Sequence, residues 1–176
     1  MKIREFSYKE LKILKKALKA IGATKLDFIL RIKENKQKEI VALNKDLLKF
    51  IENHKNLNYV FVGIKMGEIG KRLRLTLEGA FLLHKKNKKK VYVNKNGEML
   101  FLYGRDIFRE SLEKVSPDIK ENDIVVVCNL KEEVLGIGRT RFDCKRIMRV
   151  EKDRIVVDNL VDRGEYLRKN KLYNAY

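Results

Sequence analysis

The stretch DIVVVCNLKEEVLGIGRTR, residues 123–141, decides the fold of the second half of the chain. Residues 124–128 are all apolar, as expected of a β-strand whose two faces are both covered. The charged residues after this run predict a turn, and the chain then enters a second strand that contains Gly136 and Gly138. This strand–turn–strand unit predicts a β-sheet in the second half of the chain.

The segments around this unit predict that the sheet is a small β-barrel. Further short strands are expected at 90–94, 99–104, 146–150, 153–160 and 164–168, with a turn at 95–98. A helix is expected over 105–115, and Pro117, the one proline of the sequence, is expected to end it. Roughly five or six short strands with one helix in about eighty residues are typical of a small barrel.

The first half of the chain predicts an α+β domain, with helices packed on an antiparallel sheet. Residues 7–22 have the pattern of an amphipathic helix, in which Ser7 and Glu10 have the spacing of a capping box and Gly22 is the stop. Strands are expected at 25–33, 38–44, 59–65 and 72–75, with Gly67 and Gly70 in the last turn, and further helices at 45–54 and 77–86.

Lysine dominates the segment HKKNKKK at 84–90, which cannot pack against a core. We therefore place the domain boundary there, with an N-terminal α+β domain at 1–90 and a C-terminal domain at 91–176. The chain has 41 Lys and Arg against 24 Asp and Glu, a formal net charge of +17. The first domain carries 24 cations and 9 anions, or +15, and the second 17 and 15, or +2. This excess indicates a polyanionic partner such as RNA, DNA or an anionic membrane.

The lysines of the first predicted helix fit either a solvated face or a binding ridge, and both would raise nonspecific affinity for RNA. A membrane is not predicted as a partner, because no run approaches the roughly twenty apolar residues of a spanning helix. The first residues also lack the apolar stretch of a signal peptide. The two isolated cysteines form neither a disulfide framework nor a CxxC motif, so a reducing compartment is expected: the cytoplasm, or the nucleus and nucleolus in a eukaryote.

The glycines at 136 and 138 are open to two interpretations. A dinucleotide loop of an enzyme needs a third glycine where Arg141 stands, and a P-loop needs a Lys-Ser/Thr pair that is absent. A close approach of another backbone fits the pattern better, and barrel curvature alone would account for it. His54 and His84 lie on predicted helices without a ligand cluster, and Cys144 has no histidine near it in sequence. We therefore predict no catalytic residue, no metal site and no cofactor.

Three motifs carry a resemblance to a known family: FLYG at 101–104, LGIG at 135–138 and GEYLR at 164–168. With their flanking residues they resemble a PUA domain, the RNA-binding module named after pseudouridine synthases and archaeosine transglycosylases. More narrowly, they are similar to the Nip-seven family of ribosome-biogenesis factors of archaea and eukaryotes. The similarity is strong over 97–169 and extends into the first half through MGEIGKRLRLT at 66–76.

The resemblance implies a two-domain, non-enzymatic RNA-binding protein that acts in maturation of the large-subunit ribosomal RNA. In archaeal members, basic side chains at the end of the PUA domain are implicated in binding uridine-rich single-stranded RNA. The matching positions here are Arg168, Lys169 and Lys171. Eukaryotic members largely lose these residues, so the resemblance implies the archaeal mode of RNA contact. It also implies other ribosome assembly factors as partners and, in archaea, an association with the exosome.

Two hypotheses for function remain open. In the first, the protein is an RNA-binding assembly factor. Arg139, Arg141 and Arg163 then flank the path of the RNA, because arginine suits bidentate phosphate contact and stacking on bases. Tyr103 and Tyr166 are then candidates for stacking, although a buried core position fits each equally well. In the second, the protein is a scaffold for other proteins, favoured by a near-neutral second domain beside a strongly basic first one. A monomer is expected in both cases.

Overall fold

The computed structural model describes residues 2–21, 23, 25–34, 37–57, 59, 61–83 and 89–169, with Lys169 described by its backbone only. The chain forms two compact units, Met1–Lys86 and Asn87–Tyr176, which we call the N-terminal and the C-terminal unit. The expected boundary, after residue 90, lies a few residues beyond the point where the first unit ends and the second begins. The lysine-rich segment 84–88 lies outside the described residues.

The N-terminal unit is an antiparallel sheet whose five strands lie side by side in chain order. Within the described residues these strands are β1 Lys2–Arg4, β2 Ile29–Glu34, β3 Lys38–Leu43, β4 Ile64–Ile69 and β5 Leu73–Leu75. The helices found in the same part of the chain are α1 Tyr8–Ala20, α2 Lys45–Asn53 and α3 Leu77–Leu83. The apolar face of α1 and the sheet share one core, with Leu14, Ile32 and Met66 buried in it. The predicted α+β architecture is confirmed.

Helix α1 begins at the predicted capping box. The Ser7 hydroxyl accepts a hydrogen bond from the Glu10 N–H at 3.4 Å, and the Glu10 carboxylate accepts one from the Ser7 N–H at 2.8 Å. Glu10 also forms ion pairs with Arg4 at 2.8 Å and with Lys38 at 2.9 Å. One nearly buried carboxylate therefore fastens the start of the helix to β1 and β3. The expected stop, Gly22, lies outside the described residues.

Strand β4 begins later than the sequence predicts, and Gly67 lies inside it rather than in the turn before β5. A Cβ atom at position 67 would clash with the carbonyl oxygen of Arg74 on the neighbouring strand. The glycine is therefore needed for the close approach of β5, which a turn-based interpretation of the sequence missed.

The C-terminal unit contains a six-stranded sheet in the order β7-β11-β10-β9-β6-β8. Its strands are β6 Lys90–Val93, β7 Ile107–Phe108, β8 Leu112–Val115, β9 Ile124–Asn129, β10 Val134–Thr140 and β11 Ile155–Asp162. Its helices over the described residues are α4 Lys95–Leu102 and α5 Glu165–Lys169. β7 and β8 lie at opposite edges of the sheet, yet only the 3-10 turn Arg109–Ser111 joins them. From Phe108 to Leu112 the chain reaches about 14 Å at most, so the sheet must curl until its edges lie close together, and the predicted small barrel is confirmed.

Strands β9 and β10 occupy the middle of this sheet, as their sequence predicts. Residues 125–128 are almost completely buried, and Gly136 and Gly138 lie within β10. A Cβ atom on Gly136 would clash with the carbonyl oxygen of Val161, and one on Gly138 would clash with the side chain of Val157. The register of β10 also shifts beside both glycines. Close approach and strand irregularity therefore both account for them.

Helix α4 and its C-terminal cap occupy the segment 95–104, so the predicted turn and strand are wrong there. The Asn94 side chain caps α4 by accepting a hydrogen bond from the Gly97 N–H at 2.9 Å. At the other end, Gly104 has a positive φ of 83°. The N–H of Arg105 bonds the carbonyl of Leu100 at 3.1 Å, and the N–H of Gly104 bonds that of Phe101 at 2.9 Å, which is a Schellman ending. The capping residues Asn94 and Gly104 are recognisable in the sequence, but the apolar run between them resembles a strand.

Three other predicted elements of this unit are also wrong. The helix expected at 105–115 is replaced by β7, the 3-10 turn and β8, because pairing with β11 and β6 overrides the local helical spacing. Pro117 therefore follows a strand. Turns replace the strand expected at 146–150, since Asp143 accepts bonds from two of the next N–H groups at 2.9 Å. The segment 164–168, which was expected to be a strand, contains most of α5.

Candidate nucleic-acid interface

The arginines singled out in the sequence lie around β10, β11 and α5 of the C-terminal unit. Arg139 is on β10, Arg141 follows its end, Arg163 lies between β11 and α5, and Arg168 is on α5. All four are exposed residues. Their side chains have different neighbours, and these neighbours decide which of them can act together.

Arg168 fastens α5 to the end of α4. Its guanidinium forms an ion pair with Asp162 at 2.7 Å and donates a second hydrogen bond to the carbonyl of Leu102. Gly104 and Gly164 leave the room that this guanidinium occupies, since a Cβ at either position would crowd it. The side chain of Asp162 is only 4% exposed, that of Arg168 is 38% exposed, and the ion pair raises the pKa of Arg168 above its usual value. The cation is therefore both anchored and accessible.

Arg141 is held in a similar way at the other end of a polar network. Its guanidinium lies 2.6 Å from Asp158 and 3.8 Å from Asp106. The backbone N–H of Asn159 donates to Asp106 at 2.8 Å, and the Asn159 amide donates to Asp162 at 3.3 Å. Because Asp162 in turn pairs with Arg168, Asn159 links the two arginines. The structure thus brings Arg141 and Arg168 into one network around the connection between α4 and β7.

Arg139 and Arg163 lie outside this network, towards opposite ends of β10. The Arg139 side chain has no hydrogen-bond or ion-pair partner among the described residues, and it shares a sheet face with Asp158 opposite it. Arg163 donates a long 3.4 Å bond to the carbonyl of Val134, where β10 begins. Arg139 lies five residues after Val134 along the strand, a distance of roughly 16 Å. Arg163 is therefore far from Arg139, although it directly follows Asp162, the partner of Arg168, in the chain.

The two predicted lysines can be placed only in part. Lys169 ends α5, and nothing is described of its side chain. Lys171 lies outside the described residues. Lys169 directly follows Arg168, so the anchored helix fixes the position of its backbone.

The same region exposes groups that can meet a base. Tyr103 and Tyr166 are 70% and 51% exposed, so neither belongs to the core. Arg105, which the sequence analysis did not single out, is also exposed, and its side chain has no partner in the described part of the chain. The sequence signal for it is its position directly after Gly104, a glycine of the kind that ends a helix with a positive φ. We call Tyr103, Arg105, Arg141 and Arg168 the α4–β7 surface. This combination suits single-stranded RNA, because the cations can bind phosphates and the exposed ring can stack on a base.

Thiols and clusters of metal-binding side chains are the other groups that could support chemistry. Burial raises the pKa of the Cys128 thiol to about 11, which keeps it protonated and unreactive at neutral pH. Cys144 packs against the core of the C-terminal unit. The described residues contain no group of three or more His, Cys, Asp or Glu side chains that could hold a metal ion. They also include no helix with the length and apolar character needed to cross a bilayer.

Two family models match the chain and together account for most of it. One is described as the NIP7/UPF0113 pre-PUA domain and matches residues 3–84. The other is described as the UPF0113 PUA domain and matches residues 89–171. The gap between the matches falls where the two compact units meet in sequence.

Individual proteins match over nearly the same length. A UPF0113 protein of Archaeoglobus fulgidus is 44% identical, with all of both chains covered. The 60S ribosome subunit biogenesis protein NIP7 of Saccharomyces cerevisiae is 27% identical over 94% of this chain and 96% of its own. A conserved PUA domain protein from Thermoplasma acidophilum of known structure has a TM-score of 0.64 at 18% identity, covering 94% of this chain and 97% of its own. At that identity the structural likeness shows the fold alone.

Proposed function

We propose that this chain, which belongs to the NIP7/UPF0113 family, binds RNA during biogenesis of the large ribosomal subunit. The observation that carries the proposal is the coverage of nearly the whole chain by the pre-PUA and PUA models. The yeast relative, named for biogenesis of the 60S subunit, shares both halves. We assign RNA binding to the PUA domain at 91–176 and a supporting role to the N-terminal domain at 1–90.

The proposed ligand of the PUA domain is single-stranded, uridine-rich precursor ribosomal RNA. Its path would cross the α4–β7 surface and continue to Arg139, with Lys169 and Lys171 contacting phosphates next to Arg168. The network through Asn159 supports this path, because it holds two arginines in fixed positions. The exposed ring of Tyr103 would stack on a base, since phosphate contacts position a strand without reading it. Arg163 would contact the strand only where it extends beyond the start of β10.

We propose a monomeric, non-enzymatic factor of the cytoplasm that works with other ribosome assembly factors and, in an archaeon, with the exosome. Support comes from the names of the NIP7 relatives as biogenesis proteins. In a eukaryote the corresponding compartment would be the nucleus or nucleolus.

The test is binding of the full chain to oligouridine across a salt series. Arg139→Gln with Lys169→Gln removes two proposed phosphate contacts and breaks no described ion pair. We expect the log–log salt slope to become shallower by about 1.4, since each neutralised phosphate of a single strand contributes about 0.7. The control is Lys95→Gln with Lys131→Gln, which removes the same charge from exposed positions elsewhere in the C-terminal unit. The control should keep the slope of the unmodified protein.

A protein scaffold with incidental RNA affinity is the alternative function. The near balance of charge in the second domain, 17 cations against 15 anions, favours it. Equal losses in both variants, or equal affinity for oligouridine and oligoadenosine, would support the scaffold and overturn the proposed RNA path.

A further inference from the structure

Helix α1 exposes a face made almost entirely of lysine. Within α1 the exposed residues are Lys9, Lys12, Lys15, Lys16 and Lys19, with Tyr8 at the start and Ala20 at the end. At 100° per residue the five lysines fall within about 120° of the helix circumference and extend over about 15 Å of its axis. We call these five residues the α1 lysine face. We infer that it is a second nucleic-acid contact of this protein, which binds the phosphate backbone of paired RNA.

The charge of this face is not compensated by the described part of the unit. None of its lysines has an ion pair or a side-chain hydrogen bond to a described residue. The one acid of α1, Glu10, is nearly buried and committed to Arg4 and Lys38. Other carboxylates of the unit are also committed to cations at the sheet: Glu5 to Arg31, Glu34 to Arg4, and Glu39 and Glu68 to Lys65. Five positive charges therefore face outward on one rigid element.

The composition of the face fits a polyanion better than a protein or a membrane. Protein interfaces are depleted of lysine at their core and enriched in aromatic residues, and this face has one ring at one end. A helix that lies in a membrane surface inserts its apolar side, whereas Leu14 and Leu18 on the apolar side of α1 are buried in the core. Lysine ammonium groups on flexible stems suit phosphates as point charges.

The shape of the face favours paired over unpaired RNA. Proteins that bind single strands combine a groove with aromatic platforms on which successive bases stack. The α1 lysine face is convex, because it is the outer side of a helix, and its lysines occupy every exposed position between Tyr8 and Ala20. A duplex presents only its backbone and needs no stacking. The choice of RNA over DNA rests on the proposed function, whereas the contact with a duplex backbone rests on α1 itself.

The experiment compares two full-length variants with equal changes in charge. The test variant carries Lys9→Gln, Lys12→Gln, Lys16→Gln and Lys19→Gln; glutamine keeps nearly the helix propensity of lysine, so α1 should persist. The control carries Lys45→Gln, Lys49→Gln, Lys55→Gln and Lys71→Gln, which are exposed positions of the same unit off α1. Binding is measured to a mixed-sequence RNA duplex of about sixteen base pairs, a length that spans two minor grooves. Oligouridine serves as the second probe.

We expect the test variant to bind the duplex at least tenfold more weakly, with a salt slope shallower by about 3.6, since it loses four phosphate contacts and each phosphate of a duplex contributes about 0.9. The control should stay within about twofold of the unmodified protein at moderate salt, where screening acts over about 10 Å. Equal losses in the two variants would show that only total charge matters and would overturn the inference. So would a larger loss for oligouridine than for the duplex. An effect on the duplex alone would uphold it even if the Arg139 and Lys169 variant left oligouridine binding intact, so the two proposals can fail separately.

Discussion

Arg168 stabilises the fold through its ion pair with Asp162, and we propose that it also binds RNA. Asp162 is 3% exposed, and one of its carboxylate oxygens has no hydrogen-bond partner within the described structure. The Arg168 guanidinium is the cation that pairs with this carboxylate, and it therefore offsets part of the cost of burying the charge. A guanidinium has five N–H donors, and its described bonds to Asp162 and to the carbonyl of Leu102 leave others for a ligand.

Replacing Arg168 should therefore lower the stability of the folded protein, in addition to any effect on RNA binding. Arg168→Ala leaves Asp162 buried without a cation, which costs about 3–5 kcal/mol for a fully buried pair. Because the arginine is partly exposed, we expect about 1–3 kcal/mol, measured by urea unfolding. Hydrogen exchange should speed up most at the α5 amides.

The matched control at this scale is Arg163→Ala, since the one described side-chain contact of Arg163 is a long hydrogen bond to the carbonyl of Val134. It should lie within about 0.5 kcal/mol of the unmodified protein. Adding Asp162→Asn to Arg168→Ala should restore part of the loss, because the uncompensated charge is then gone. An Arg168→Ala protein of unchanged stability would contradict the anchoring role.

Individual glycines show what the sequence could predict at this scale. Gly136 and Gly138 were expected to permit close backbone approach, and the neighbouring strand does approach both of them. The pairing of Arg168 with Asp162 could not be predicted, since it depends on Gly104 and Gly164, which come together only after α4 and α5 have formed. Predicting cations from a sequence is easy, whereas predicting their partners requires the fold.

Among the elements, the start of α1 depends most on charge. Glu10 lies at the third position of the helix, and its hydrogen bond with Arg4, together with those from Lys38 and Ser7, lowers its pKa well below the usual carboxyl range despite its burial. A carboxyl whose pKa is lower in the folded state stabilises that state fully above its unfolded pKa. This contribution is lost as the pH falls towards the folded pKa. Acid should therefore weaken the attachment of α1 to the sheet.

The Glu10→Gln variant tests this expectation. At neutral pH it should be less stable than the unmodified protein by about 2 kcal/mol, because Arg4 and Lys38 lose a charged partner. The difference should shrink as the pH is lowered from about 6 to about 3, measured by urea unfolding at each pH. Glu52→Gln on the exposed side of α2 provides the control, with a small difference at every pH. A Glu10→Gln difference that stays constant with pH would refute the assignment.

The elements differ in how far the sequence predicted them. α1, β3 and β9 followed from capping and from apolar pattern, which are local signals. α4, β7 and β8 did not, because an apolar run with a glycine resembles a strand and apolar residues at helical spacing can also pair as strands. Pairing with distant strands settled both cases. The class of fold was still predictable, since a barrel tolerates an exchange of helix and strand in one segment.

On the scale of the whole molecule, charge is distributed unequally between the two halves. The first 90 residues carry +15 and the remaining 86 carry +2, from the 24 and 17 cations less the 9 and 15 anions. A field of this kind raises the rate at which a polyanion arrives more than it strengthens the final contact. The basic half should therefore speed capture of RNA by the PUA domain even through lysines that never touch the strand.

The variant with Lys45, Lys49, Lys55 and Lys71 changed to Gln measures this effect on oligouridine. At about 0.01 M salt, where charges act over about 30 Å, we expect association to slow several-fold while dissociation stays unchanged. Raising the salt to about 0.3 M should remove the difference, because screening then confines each charge to its neighbours. Stopped-flow fluorescence of labelled oligouridine separates the two rates. A change in the dissociation rate would mean that these lysines contact the strand directly. RNA binding would then not belong to the C-terminal domain alone.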